Sequence, residues 1–245
     1  MVKLSARPEA MKNAVTHYCA GCGHGIIHRL VCEVIDEMEM REKTIAVAPV
    51  GCAVLAYDYW NFDTLEAAHG RTPAVATGIK RIHPDKLVFT YQGDGDLAAI
   101  GTAEIIHTAN RGENISVIFV NNGVYGMTGG QMAPTTLIGQ VTATSQFTRR
   151  PEKEGFPLKI MEMMALLPGA AYLERTSVDS PGEIRKTKKA IKKAFGVQLA
   201  KKGFSMVEIL SPCPTYWAMD PVRAMEHIRK DVVKQYPLGV VKDEQ

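Results

Sequence analysis

Four segments of this sequence place metal- or phosphate-binding residues directly after an apolar, β-branched run. Gly51-Cys52 follows TIAVAPV, Gly93-Asp94-Gly95-Asp96 follows from LVFTYQ, Asn121-Asn122 follows ISVIFV, and Ser211-Pro212-Cys213-Pro214 follows FSMVEIL. A fifth segment, Cys19-Ala20-Gly21-Cys22, sets two thiols at Cys-x-x-Cys spacing. GDGDLA fits the G-x-G-x-x-A dinucleotide pattern. However, Asp94 sits where a pyrophosphate would pass, and two anions in contact repel. The next strand also ends in Asn-Asn rather than in an acidic residue for a ribose. A divalent cation removes the conflict. Mg²⁺ takes hard oxygen ligands, typically one or two carboxylates with phosphate oxygens. Asp94 can supply a carboxylate oxygen, Asn122 an amide oxygen and Val124 a backbone carbonyl, while a helix beginning near Leu97 aims free N–H groups at a diphosphate. The plainer alternative is a tight strand-to-helix turn capped by Asp, with an unrelated asparagine turn.

These loops need a scaffold that brings them together. The runs at 44–50, 87–91, 115–120 and 204–210 alternate with helical patterns, which predicts an α/β fold: a doubly wound, mostly parallel sheet with helices on both faces. In a parallel sheet all strand C-termini share one edge, and ligands bind outside it. Cys52, Asp94, Asn122 and Cys213 are therefore expected on one side of the molecule. The stripe at 26, 27, 30, 31, 34, 35 and 38 predicts a helix over 26–40. Thr72-Pro73 reads as the start of a helix that His83-Pro84 ends. Ser180-Pro181-Gly182-Glu183 reads as a capping box opening a helix that runs through Lys202 and stops at Gly203. Between 126 and 157 the periodicity is lost, as in a functional loop.

The chain has 245 residues, 46% hydrophobic and 22% charged, with a net charge of +3. This is a globular profile, too weakly basic to make nucleic acid or an anionic membrane the main partner. The longest apolar stretch, 45–57, contains Pro49 and Gly51 and falls short of the ~18 residues of a membrane span. The first residues lack the apolar core of a secretory signal, so a cytoplasmic location is expected. There the five cysteines stay reduced and read as metal ligands, catalytic groups or core filler. Four of them suit zinc or an iron–sulfur cluster equally well on spacing alone. Cys32, inside the first helix, reads as core filler.

Taken in order, the motifs resemble one family. GDGD with the following Asn121-Asn122 resembles the Mg–thiamine diphosphate motif. Tyr18-Cys19-Ala20-Gly21-Cys22-Gly23-His24-Gly25 is similar to the C-P-G-C-G-x-G opening of the β subunits of 2-oxoacid:ferredoxin oxidoreductases. Val50-Gly51-Cys52, His69-Gly70-Arg71, Tyr125-Gly126-Met127-Thr128-Gly129-Gly130-Gln131 and Ser211-Pro212-Cys213-Pro214 match further, so the likeness spans residues 18 to 214. It implies one thiamine diphosphate-binding domain over 1–245, with Cys19, Cys22, Cys52 and Cys213 closing a [4Fe–4S] site. Asp94, Asn122 and Val124 match the Mg²⁺ ligands. Gly51, Cys52, His69, Gly93, Gly95, Asp96, Gly126 and Met127 match positions around the cofactor. Ala20 departs from the family's proline, which implies only a looser turn.

The activity implied is coenzyme A-dependent oxidative decarboxylation of a 2-oxoacid to acyl-CoA and CO₂. Electrons pass through the cluster to ferredoxin. Substrate forms closest to this chain are 2-oxoisovalerate and 2-oxoglutarate, with pyruvate as a further candidate. The glutamate that activates the cofactor is expected on a partner α subunit, with γ and ferredoxin-like δ subunits completing the complex. The chain alone is therefore expected to bind cofactor poorly and not to turn over. Alternatives are a non-oxidative thiamine diphosphate enzyme subunit, which would not need four cysteines, and a zinc-stabilised nucleotide-binding module. His69 can donate to a diphosphate oxygen or simply face solvent at a helix entry. Arg71 can meet phosphate, a substrate carboxylate or another subunit. The lysine-rich stretch 185–202 reads as a solvated face, or as a docking patch for an acidic electron carrier.

Overall fold

The computed structural model describes residues 6–244. Its centre is a seven-stranded sheet in the order β2-β1-β3-β4-β8-β7-β9. The strands are β1 (Thr44–Pro49), β2 (Asp63–Ala67), β3 (Leu87–Gly93), β4 (Ser116–Asn121), β7 (Ala170–Ser177), β8 (Phe204–Leu210) and β9 (Gly239–Asp243). A separate hairpin pairs β5 (Val124–Tyr125) with β6 (Gln131–Met132). All neighbours in the large sheet are parallel except β9, which runs antiparallel along β7 at one edge. The four strands expected from the sequence, β1, β3, β4 and β8, are adjacent, so the loops after them emerge side by side. Neighbouring strands lie ~4.8 Å apart, which keeps those exits within ~15 Å of one another.

Side chains alternate across the strands and build a core on each face. Ala46, Ala48, Phe89, Tyr91, Ile118, Val120, Val207 and Ile209 pack under helices His24–Glu37 and Pro181–Leu199. Ile45, Val47, Val88, Val117, Phe119 and Met206 pack under helices Thr72–Ile82, Thr102–Asn110 and Ile160–Ala165. Such runs are buried on both sides, which is why they are continuously apolar in sequence. No described helix is long and apolar enough to cross a membrane.

Three strands of the large sheet lay outside the sequence expectation, for a common reason: each carries polar residues where an apolar run would give it away. β2 is a largely exposed edge strand, DTLEA. β7, AAYLERTS, buries Arg175 in mid-strand, where its Nε donates to Glu208 Oε2 of β8 at 2.5 Å. β9 is the opposite edge. Helix boundaries also shift. The first helix runs His24–Glu37, not 26–40. Arg71, not Thr72, precedes the next helix, and Thr72 is its first residue. Asp96–Ile100 form a single π-helical segment ahead of Thr102–Asn110. The long lysine-rich helix ends at Leu199, with Gly203 at φ +121° turning the chain into β8. Only half of its capping box forms: Ser180 Oγ accepts from Glu183 N, while the Glu183 carboxylate pairs with Lys186.

The basic face of that helix is mostly consumed inside the molecule. Lys188 bridges Glu33 and Glu37 of the first helix, Lys192 also meets Glu37, and Lys193 pairs with Asp243. Exposed pairs of this kind contribute little stability each, ~0–1 kcal/mol. They do tie the helices that flank the functional edge.

Candidate functional site

The loops at the C-terminal edge do not simply stand in a row; they curl over it. Gly126 marks the meeting point. A Cβ placed there would lie 2.9 Å from Cys52 Sγ, 3.9 Å from Asn122 Nδ2 and 4.0 Å from Cys213 Sγ. Residues from the exits of β1, β4 and β8 thus converge on one backbone position, where a side chain would have to displace Cys52 Sγ. Two adjoining cavities open from this point. One is lined by Gly51, Cys52, His69, Gly93, Asp94, Gly95, Asp96, Asn122, Val124, Gly126 and Met127, joined by His24 and Tyr125. The other is lined by Cys19, Cys22, Cys52 and Cys213, with His17, Tyr18 and Tyr216. Cys52, Asn122, Gly126 and Met127 belong to both walls.

In the first cavity Asp94 is buried, and its carboxylate is held from several sides. Oδ1 accepts from Gly95 N at 2.8 Å, and Oδ2 accepts from Gly123 N and Thr135 Oγ1, each at 2.6 Å. Burial nevertheless pushes its pKa up to about 6, against the pull of those hydrogen bonds. A buried carboxylate with no positive side chain bonded to it among the described residues is the environment a cation would relieve. Asn122 stands beside it, its Oδ1 accepting from Val124 N at 3.2 Å. Its neighbour Asn121 turns the other way, as strand alternation requires, and donates to Glu208 Oε1 at 2.7 Å. The two asparagines therefore divide their work. Asn121 locks β4 to the buried Glu208–Arg175 pair, and Asn122 faces the cavity.

Asp96 lines the same cavity, yet both its oxygens are taken by the protein. Oδ1 accepts from His69 Nδ1 at 2.5 Å and Gly70 N at 2.6 Å, and Oδ2 accepts from Gln92 Nε2 at 2.6 Å. Asp96 acts here by fixing the His69 loop. His69 is accordingly oriented by Asp96 rather than left loose in solvent, and Arg71 pairs with Glu104. Gly70 and Gly95 permit close packing. A Cβ on Gly70 would fall 2.7 Å from Gly101 N, and one on Gly95 would fall 2.3 Å from the Tyr125 ring.

In the second cavity burial pushes the Cys22 thiol up to about 11 and those of Cys52 and Cys213 up to about 12. Cys52 also feels Cys22, Asp94 and Cys19 as like charges. Such thiols stay protonated until a metal displaces the protons. Among the described residues, no three His, Cys, Asp or Glu side chains converge around a single ion-sized point. The four cysteines instead surround open space. Gly23, whose Cβ would fall 2.3 Å from Ser211 Oγ, lets the Cys19–Cys22 turn press against the Cys213 loop, and Gly23 N donates to Pro212 O. Cys32 lies apart, buried, with its thiol donating to Ala10 O.

Several residues of this region carry no periodic signal in the sequence. His24 and Tyr91 form a buried pair, Nδ1 to Oη 2.7 Å. Burial, with His17 nearby, lowers the His24 pKa to about 3. Trp217 Nε1 donates to Asn122 O at 3.0 Å and steadies the β4 exit. The segment 126–157 is mostly irregular, holding only β6 and a helical turn at Pro151–Glu154, and it is ordered by Arg149. This buried guanidinium donates to the carbonyls of Thr136 (2.6 Å), Phe156 (2.7 Å), Pro134 (2.9 Å) and Gly155 (3.0 Å).

The chain is similar to known proteins. Residues 49–209 match the family model described as thiamine pyrophosphate enzyme, C-terminal TPP binding domain. The chain is 49% identical over 228 residues to ketoisovalerate oxidoreductase subunit VorA of Methanothermobacter thermautotrophicus, covering 93% of this chain and 48% of that protein. It therefore spans about half the length of that relative. It is 40% identical over 203 residues to 2-oxoglutarate synthase subunit KorB of Methanocaldococcus jannaschii, covering 82% of this chain and 70% of that protein. The solved 2-oxoglutarate:ferredoxin oxidoreductase from Magnetococcus marinus, with 2-oxoglutarate, coenzyme A and succinyl-CoA bound, shares the fold. The TM-score is 0.78 at 24% identity, over 99% of this chain and 86% of that one.

Proposed function

This chain belongs to the thiamine diphosphate-binding subunits of the 2-oxoacid:ferredoxin oxidoreductases, and from that premise we propose that it serves coenzyme A-dependent oxidative decarboxylation of a branched-chain 2-oxoacid. The observation that carries the reading is the shared wall. Cys52, Asn122, Gly126 and Met127 line both the cavity with the buried carboxylate and the cavity with the thiols. A cofactor held in the first and a cluster held in the second would be near neighbours, as electron transfer between them requires.

Thiamine diphosphate supplies an electron sink for loss of CO₂, and a [4Fe–4S] cluster supplies an acceptor for the electrons released. The residues do the holding. Asp94 and Asn122, with the Val124 carbonyl, would hold Mg²⁺ and through it the diphosphate; a cation also meets the electrostatic need of the buried Asp94. His69, oriented by Asp96, faces the same cavity. Cys19, Cys22, Cys52 and Cys213 would hold the cluster. Electrons released by an oxidative decarboxylation need a redox-active acceptor, which zinc is not, so this reading takes the cluster over zinc.

Among the described residues, no glutamate lines the first cavity. The reading takes the activating carboxylate from a partner α subunit, in a complex completed by γ and ferredoxin-like δ subunits with ferredoxin as electron acceptor. The higher identity to the ketoisovalerate relative than to the 2-oxoglutarate relative favours 2-oxoisovalerate as substrate. The test is the assembled complex assayed on a panel of 2-oxoacids with coenzyme A and a low-potential dye. The expected result is highest kcat/KM on 2-oxoisovalerate. Dye reduction by none of the 2-oxoacids would refute the proposal, and preference for 2-oxoglutarate would refute its substrate part.

A further inference from the structure

His24 is buried, lines the cofactor cavity, and has one side-chain hydrogen-bond partner among the described residues, Tyr91. The proton on that bond can be assigned. Tyr91 is fully buried, and among the described residues its hydroxyl has no partner besides His24 Nδ1. A hydroxyl hydrogen left without an acceptor in the interior costs ~1–3 kcal/mol, whereas an unused lone pair costs less. Tyr91 therefore donates to Nδ1, and the imidazole carries its own hydrogen on Nε2. The ring is held in this orientation by Tyr18, stacked on it at 4.9 Å and 11°, and by the ring of Tyr91 at 5.6 Å. Turning the ring over would break the Nδ1 bond. Nε2 has no partner among the described residues, yet it is not among the described atoms sealed from solvent without one. It therefore keeps some access to solvent, and the cavity is the space that His24 lines.

We propose that His24 is a cofactor-binding residue: its Nε2–H, fixed in place by Tyr91, donates a hydrogen bond to an acceptor atom of thiamine diphosphate. This rests on the functional reading above and adds a positioning contact to the cavity that Asp94 also lines. Its donor needs no change of protonation on binding, so it is ready before the ligand arrives. Tyr91 acts through His24 and is a positioning residue.

The test uses the assembled complex, stripped of cofactor, titrated with Mg²⁺ and thiamine diphosphate in the absence of any 2-oxoacid. His24→Phe is expected to raise Kd about tenfold, the order of one buried hydrogen bond. His24→Gln, whose amide nitrogen reaches to the Nε2 position, is expected to stay within about threefold of wild type. Tyr91→Phe, which frees the tautomer, is expected to weaken binding about threefold with no loss of thermal stability beyond that of a removed hydroxyl. Wild-type affinity in His24→Phe overturns the proposal, as does equal weakening in His24→Phe and His24→Gln. Absence of binding by the wild-type complex would instead overturn the functional reading itself. A crystal structure of the wild-type complex with cofactor supplies a check independent of any variant's folding: Nε2 within ~3.2 Å of a cofactor acceptor supports the assignment, and Nε2 facing only water overturns it.

Discussion

Replacing Asp94 by Asn should separate what the residue does for binding from what it costs in stability. Burial raises the Asp94 pKa from 3.8 to about 6. Its folded-state pKa therefore lies above its unfolded value. For such an acid the unfolded chain releases its proton first as pH rises. Stability is lost through the window between 3.8 and about 6, and the whole penalty is present above it. At 1.36 kcal/mol per pKa unit the penalty is about 3 kcal/mol. The Asp94→Asn variant would carry no such term, although its new amide would face one of the donors from Gly95, Gly123 and Thr135 that now point at the carboxylate. That cost is independent of pH and cancels when the two proteins are compared at two pH values. The assay is urea unfolding of the full chain, wild type and Asp94→Asn, at pH 4 and pH 7. Part of the penalty is already present at pH 4, so relative to wild type the variant should gain about 2 kcal/mol on going from pH 4 to pH 7. Mg²⁺ with thiamine diphosphate should then raise the melting temperature of the wild-type complex and leave that of the variant complex unchanged. Parallel pH dependences, or a variant that still binds the Mg²⁺–cofactor pair, would refute the reasoning.

The thiol cavity makes its own predictions. Cys213→Ser should abolish visible absorption in anaerobically purified protein, while Cys32→Ala, which removes a buried core thiol and its bond to Ala10 O, should leave it intact. Gly126→Ala places a methyl 2.9 Å from Cys52 Sγ and should lower iron content several-fold in a chain that remains folded by circular dichroism. Arg149→Met removes the donors that gather the carbonyls of Pro134, Thr136, Gly155 and Phe156 and should cost about 3 kcal/mol or more. Limited proteolysis should then cut within 126–157 while the sheet core stays protected.

How much of this was legible in the sequence follows from where burial is apolar and where it is polar. β1, β3, β4 and β8 are buried on both faces, so their sequences are nearly unbroken runs, and the residues just beyond them were legible as one edge. β7 was not legible because its burial depends on an ion pair: Arg175 is an interior residue only because Glu208 and Glu162 meet it. The division of labour between Asn121 and Asn122 needs the same Glu208 and cannot be read from two identical residues. Asp96 matched a cofactor motif, but which way its carboxylate turns depends on Gln92, His69 and Gly70. His24 has no periodic partner, and its meaning appears only when β3 brings Tyr91 beneath it. The order within 126–157 rests on a single buried arginine satisfied by carbonyls, a pattern with no signature in spacing.

The most direct measurement is the metal and cofactor content of the complex purified without oxygen. The account predicts ~4 irons and ~4 sulfides for this chain's cysteine site, an iron–sulfur signal on reduction, and bound thiamine diphosphate with magnesium. One zinc per chain in a colourless protein, with no diphosphate released on denaturation, would contradict it.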